Sequence, residues 1–196
     1  MNPHKHQDEL LDQALAESFP ASDAPSVFVV EQENERMVPT KNNLAENVRV
    51  AVVELLNARL ADAIDLFNQA KQAHWNVKGP QFIALHELFD QVADHVEEYA
   101  DSLAERAVQL GGVAEGTSQL VAQRTSLAPY ELGLVSGRDH VDALSSALAD
   151  FGGKVRAAID TTDGRGDRDT ADLFTEISRG VDKDVWFLEA HLQGER

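Results

Sequence analysis

Four long stretches of this chain carry apolar residues at helical spacing with no proline inside any of them, and this restricts the fold more than any other feature. The first begins at Asn43, a residue type suited to capping a helix. It sets Val48, Val52, Leu55, Leu56, Leu60, Ile64 and Phe67 along one stripe until Gly79-Pro80 ends it. The second is predicted from about Gln81 to Leu110, with Phe82, Leu85, Leu88, Phe89, Val92, Val96, Leu103 and Val108 inward and Gly111-Gly112 as its stop. The third spans roughly Arg138 to Thr161, with Val141, Leu144, Leu148, Phe151, Val155 and Ile159 as its stripe. Gly164 and Gly166 separate it from the fourth, predicted over about Asp169 to Leu192. Strand-type alternation is absent, so the predicted class is all-α.

Connection lengths then select a topology. Helices one and two are joined by a few residues, as are three and four, so each pair is expected to form an antiparallel hairpin. Gly112 to Gly137 is too long for a tight bundle turn and suits a crossover along the bundle, with a short helix expected near Thr117 to Ala122. One long crossover between two hairpins is the ferritin-like four-helix arrangement. The bundle is assigned to residues 43–192.

Residues 1–42 read differently. Asp8 to Ser18 has the pattern of a short helix, but Pro20, Pro25 and Pro39 break regularity around the apolar patch Val27-Phe28-Val29-Val30. Here Lys5, Arg36 and Lys41 are outnumbered by eight acids, giving −5 and leaving −12 of the total charge of −17 on the remainder. The segment is read as an acidic, largely irregular N-terminal arm. A charge of that sign opposes binding along a phosphate backbone, where affinity comes from cations that displace condensed counterions. The absence of cysteine excludes disulfides, zinc–thiolate sites and cysteine nucleophiles, so any metal chemistry must use His and carboxylate. No apolar run approaches membrane-spanning length and the N-terminus leads into no secretory stretch, so a cytoplasmic protein with no membrane partner is expected.

Ligand-type residues are densest between His74 and Glu105. His86 and Asp90 are four apart on helix two, and Asp101 and Glu105 repeat that spacing. At 100° per residue Asp90 and Asp101 differ by about 20° in direction, so the four lie within about a quadrant of the helix surface. The midpoints of the two pairs are nevertheless roughly 22 Å apart along the axis, so one chain cannot bring both to one ion. Two antiparallel copies of helix two about a two-fold axis near His95 and Val96 remove the difficulty. His86 and Asp90 of one chain then face Asp101 and Glu105 of the other, and two equivalent sites form at once. His74 lies at the end of helix one that can join His86. The expected set, two His and three carboxylates divided between two subunits, suits Fe(II) and permits Mn or Zn. An intrabundle di-iron site is excluded, because no His has Glu three residues before it: positions 71, 83, 92, 137 and 188 hold Lys, Ile, Val, Gly and Leu.

Each pair alone also reads as surface chemistry, His86/Asp90 as a hydrogen-bonded couple and Asp101/Glu105 as a solvated acidic face. Their alignment, with His74, favours the metal. Trp75 by residue type is a core or interface aromatic. His95, His140 and His191 read as ordinary helix-surface or interface residues, and His4 and His6 carry little weight.

Lys71-Gln72-Ala73-His74-Trp75-Asn76-Val77-Lys78-Gly79-Pro80-Gln81-Phe82, followed by His86-Glu87 and Asp90, resembles the signature of the Dps proteins, the small twelve-subunit members of the ferritin superfamily. Asp101 to Gly112 and Asp182 to Glu189 fit the same pattern, and the resemblance covers about residues 43 to 192. It implies a hollow dodecameric cage with an intersubunit ferroxidase site, and the matching positions are His74, His86, Asp90, Asp101 and Glu105. It further implies oxidation of Fe(II), preferably by hydrogen peroxide, with storage of a ferric mineral and relief of oxidative stress during starvation. Trp75 beside His74 would then quench an escaping radical. Asp163, Asp167, Asp169 and Asp172, at the turn between helices three and four, are candidates for a cation-concentrating pore; a solvated loop in which Asp169 caps the helix is the competing assignment. One departure matters: DNA-binding members carry a mobile arm rich in Lys and Arg, whereas this arm is acidic. Direct DNA binding therefore has little electrostatic support, and a nucleoid-associated protein that coats DNA with little ferroxidase activity is the alternative reading.

Overall fold

The computed structural model describes residues 37–193; the predicted helix over Asp8 to Ser18 and the rest of the arm up to residue 36 lie outside them. Among the described residues five helices follow in order: α1 (Glu46–Asn76), α2 (Phe82–Gln109), α3 (Ser118–Arg124), α4 (Gly137–Gly164) and α5 (Arg168–Gln193). The expected all-α, ferritin-like bundle is what the chain forms: α1 packs along α2, α4 along α5, and the crossover between the two hairpins carries the short α3. Among the described residues no helix is long and apolar enough to cross a membrane.

From the predicted stripes Leu56, Phe89, Leu103, Leu148 and Phe151 are fully buried, and Leu66, Phe174 and Leu188, which those stripes did not include, are buried with them. Two residues assigned inward are not: Phe82 is 42% and Val108 54% exposed. Both lie in terminal turns of α2, and Val108 points along the same direction as Asp90 and Asp101, away from the core.

Three polar residues buried on α1 hold the crossover. Asn57 Nδ2 donates to Val113 O (2.9 Å) and its Oδ1 accepts from Glu115 N (3.0 Å). The fully buried Asp62 accepts from Ser126 N (2.7 Å), and Gln69 Nε2 donates to Ala128 O (3.1 Å). A buried polar group left without a partner costs about 1–3 kcal/mol, so these bonds select one path for a segment with little regular structure.

Several ends differ from expectation. Asn43 does not cap α1: the N-cap is Ala45, without a side-chain bond, and Asn42 Oδ1 instead accepts from Leu44 N (2.9 Å). The start of α4 is capped by Ser136, whose side chain accepts from Asp139 N (3.1 Å). At the start of α5 Asp167, not Asp169, is the cap, accepting from Thr170 N (3.1 Å) and Thr170 Oγ1 (2.6 Å). Gly111, at φ +89°, closes α2, and its carbonyl accepts from Val38 N (2.8 Å), joining the residues before α1 to the bundle.

Candidate metal centre

The last turn of α1 and the first turns of α2 meet at the Gly79-Pro80 turn, and their two histidines interlock. His74 Nδ1 lies 2.8 Å from His86 O, and His86 Nδ1 2.9 Å from His74 O. A carbonyl can only accept, so each Nδ1 carries a proton and donates it to the other residue's backbone. The carbonyl of His74 belongs to the last turn of α1, where helix geometry leaves acceptors unsatisfied. The rings stack at 3.7 Å between centroids and 20° between planes, and Phe82 lies 5.1 Å from the His86 ring. With Nδ1 committed to a carbonyl, Nε2 of each ring is the nitrogen left to face a metal, the arrangement by which backbone carbonyls orient metal-binding histidines.

Asp90 stands one turn after His86 on the same face of α2. Its Oδ1 is 3.7 Å from His74 Nδ1 and is ion-paired with Lys71 Nζ. The Lys71 ammonium holds the Asp90 carboxyl below the ordinary carboxylate range, with His74 and His86 acting in the same direction and partial desolvation opposing them. Lys71 was not singled out by the sequence reading. A signal existed, since it stands one turn before His74 on the face of α1 turned toward α2.

Asp101 and Glu105 stand exposed on the far half of α2. Among the described residues of one protomer, no three His, Asp or Glu side chains converge on a point that could hold a metal. The structure thus brings together His74, His86 and Asp90 and leaves the other two predicted ligands apart from them, at the separation expected from helix geometry.

Comparison with known proteins decides the family. Residues 53–196 match the ferritin-like domain family. The DNA protection during starvation protein of Agrobacterium fabrum is 48% identical over 154 residues, spanning 79% of this chain and 95% of the relative. The chain belongs to the Dps family. Among solved Dps structures, that from Microbacterium arborescens in a high iron form is 39% identical, with a TM-score of 0.72 over 79% of this chain and 99% of that one. DpsA14 from Streptomyces coelicolor is 33% identical, with a TM-score of 0.76 over 82% and 96%.

Against this Dps framework the remaining candidates separate. Trp75 follows His74 on α1 and is 66% exposed, so it is not a core aromatic of the protomer. Asp167 leaves the pore candidates: it is 2% exposed and paired with Arg106 Nη2 (2.9 Å), while Arg106 Nε donates to Thr170 Oγ1 (2.8 Å). Asp163, Asp169 and Asp172 remain exposed around it. Of the histidines read as helix-surface or interface residues, one is buried and another is partly exposed. His140 is 1% exposed, with Nδ1 2.8 Å from the Tyr130 hydroxyl. His95 Nδ1 lies 3.0 Å from Oδ1 of the buried Asp184, whose carboxyl burial pushes up against the pull of His95.

Proposed function

We propose that the chain is a ferroxidase and iron store of the Dps kind, oxidising Fe(II) at sites shared between two subunits and holding the ferric product inside a hollow dodecameric cage. His74, His86 and Asp90 of one subunit and Asp101 and Glu105 of a second would bind the substrate iron. The observation that carries the reading is the reciprocal His74–His86 lock, which fixes both rings through Nδ1 and leaves Nε2 of each as the nitrogen to bind a metal. The iron named for the Microbacterium arborescens relative supports the same substrate.

Carboxylate oxygens are harder donors than imidazole and favour Fe(III), so a mixed set lowers the cost of oxidation while still capturing Fe(II). Hydrogen peroxide is the preferred oxidant in this reading. Each peroxide accepts two electrons and two protons to give two waters, so two Fe(II) ions are consumed per peroxide. Delivery of both electrons avoids the one-electron split that releases hydroxyl radical. Exposed Trp75, next to His74, is placed to take up a radical that escapes. Zinc or manganese fits the same donors without supplying this redox step. In this reading the site of action is the cytoplasm, and DNA protection comes from removing the reagents of damage.

Stopped-flow mixing of Fe(II) with hydrogen peroxide tests this. The parental protein should oxidise iron rapidly and retain the mineral in the particle. His86→Ala combined with Asp90→Ala should remove the fast phase, by a factor of about 100 or more, and oxidation at the parental rate in that variant would show the site to be elsewhere.

A further inference from the structure

The flank of α2 turned toward α5 carries a pair of titratable groups that iron binding does not use. His95 lies about 140° around the helix from Asp90, and roughly 7–9 Å along the axis from both Asp90 and Asp101. Its Nδ1 is 3.0 and 3.2 Å from the two carboxylate oxygens of Asp184 on α5. The Asp184 side chain is 1% exposed and the His95 side chain 30%. A buried carboxylate is costly unless it is paired, and burial raises the proton affinity of Asp184 against the pull of His95 and Lys183. Asp184 is closed to solvent, so a proton arriving from water meets the His95 ring first. Among the described residues Nε2 of that ring has no hydrogen-bond partner, and it is not buried. With Nδ1–H donated to the carboxylate, uptake at Nε2 makes an imidazolium that faces Asp184 and neutralises the buried charge.

The neighbouring charges favour that proton. Glu98 and Tyr99 stand beside the pair on α2, and Glu176 and Lys183 on α5. Exposed Glu98 and Glu176 make the flank negative, with Lys183 alone opposing them. The Tyr99 hydroxyl lies over Gly180, where an added Cβ would come within 2.0 Å of it. Burial, then Asp184, Glu98 and Glu176, pushes this phenol up to about 12, so Tyr99 keeps its own proton. An imidazole is the side chain that gains and loses a proton readily near neutral pH. Storage of iron needs such a group. Two Fe(II), one hydrogen peroxide and two waters give two FeOOH units and four protons; the iron loses two electrons and the peroxide gains them. Protons left near the product oppose further hydrolysis. We propose that His95, positioned by Asp184, accepts these protons one at a time at Nε2 and returns each to the surrounding water. The proposal rests on the ferroxidase reading above and adds the group that handles its protons.

His95→Gln tests this, because its amide can still donate to Asp184 but takes up no proton. The full-length protein is given Fe(II) in excess of its sites, with half as much hydrogen peroxide, in weakly buffered solution at about pH 6.5. Growth of the ferric mineral is followed by near-ultraviolet absorbance. The variant should build mineral about three- to tenfold more slowly than the parental protein, and added imidazole should restore the parental rate. Asp184→Asn, which can hold the ring without the charge that stabilises the imidazolium, should fall between the two. Parental growth by His95→Gln in weak buffer, or a slow rate that imidazole does not relieve, would overturn the inference. If the parental protein stores iron and His95→Gln matches it, the ferroxidase reading stands and this proton route is removed. A parental protein that oxidises no iron would remove both.

Discussion

At the proposed metal half-site Lys71 would set up a competition between two cations. An incoming ion must displace its ammonium from Asp90, whose side chain is 43% exposed, and a partly exposed ion pair is worth only about 0.5–1 kcal/mol. Lys71→Met should therefore tighten binding of Co(II), a spectroscopic probe for the Fe(II) site, by about two- to fivefold, read by visible absorption titration. Weaker binding would mean that Lys71 assists the metal instead. His140 makes a different prediction. Burial lowers its proton affinity below the ordinary value of 6.5, so the native chain keeps it neutral while the unfolded chain protonates as pH falls past that value. Its contribution is thus fully present above about pH 6.5 and is lost below it, down to the native-state value. The melting temperature of the parental protein should fall between pH 7 and pH 5.5 by more than that of His140→Gln, even though the variant is less stable at pH 7. Equal slopes in the two proteins would contradict a neutral, buried imidazole.

At the scale of elements, glycines at chain turns separate local from tertiary cost. Gly79 and Gly111 both hold positive φ, +112° and +89°, but a Cβ on Gly79 would meet open space and one on Gly111 would come 2.6 Å from Val38 O. Gly79→Ala should cost about 1 kcal/mol for the backbone alone, and Gly111→Ala about 2 kcal/mol or more, because the segment around Val38 must also move. Urea unfolding of the two variants checks the difference, and equal losses would mean that the Val38 contact contributes little. The helices themselves were legible because Gly79-Pro80, Gly111 and Gly166 interrupt strong apolar periodicity, and the crossover was legible from its length. Which residue caps a helix was not. Asn43 and Asp169 have the right chemistry, but Asn42 turns to Leu44, and Asp167 is chosen by Arg106, which reaches it from α2. The candidate site divides in the same way. The spacing of His86, Asp90, Asp101 and Glu105 is a property of one helix and could be counted along the chain. The reciprocal histidine lock depends on how the ends of α1 and α2 approach each other, and Lys71 joins only through that approach. Val108 was misassigned because periodicity counts apolar residues without saying which of two faces a terminal turn presents.

For the molecule as a whole, net charge favours one of two proposed ways of guarding DNA. A coat on the duplex would require enough cations facing phosphate to release counterions, and a total of −17 on 196 residues works against it at every distance within the screening length. The DNA protection named for the Agrobacterium fabrum relative is therefore expected here to act through iron and peroxide. Two assays on the same preparation separate the mechanisms. In a gel-shift titration with EDTA, duplex DNA should run unshifted from about 50 mM salt upward, where a phosphate-binding protein would show its strongest retention. In a nicking assay with Fe(II) and hydrogen peroxide, the parental protein should keep a supercoiled plasmid intact, and His86→Ala with Asp90→Ala should lose most of that protection. A low-salt shift with full protection by the double variant would reverse the assignment: the chain would then shield DNA by covering it, with a basic surface concealed within an acidic total.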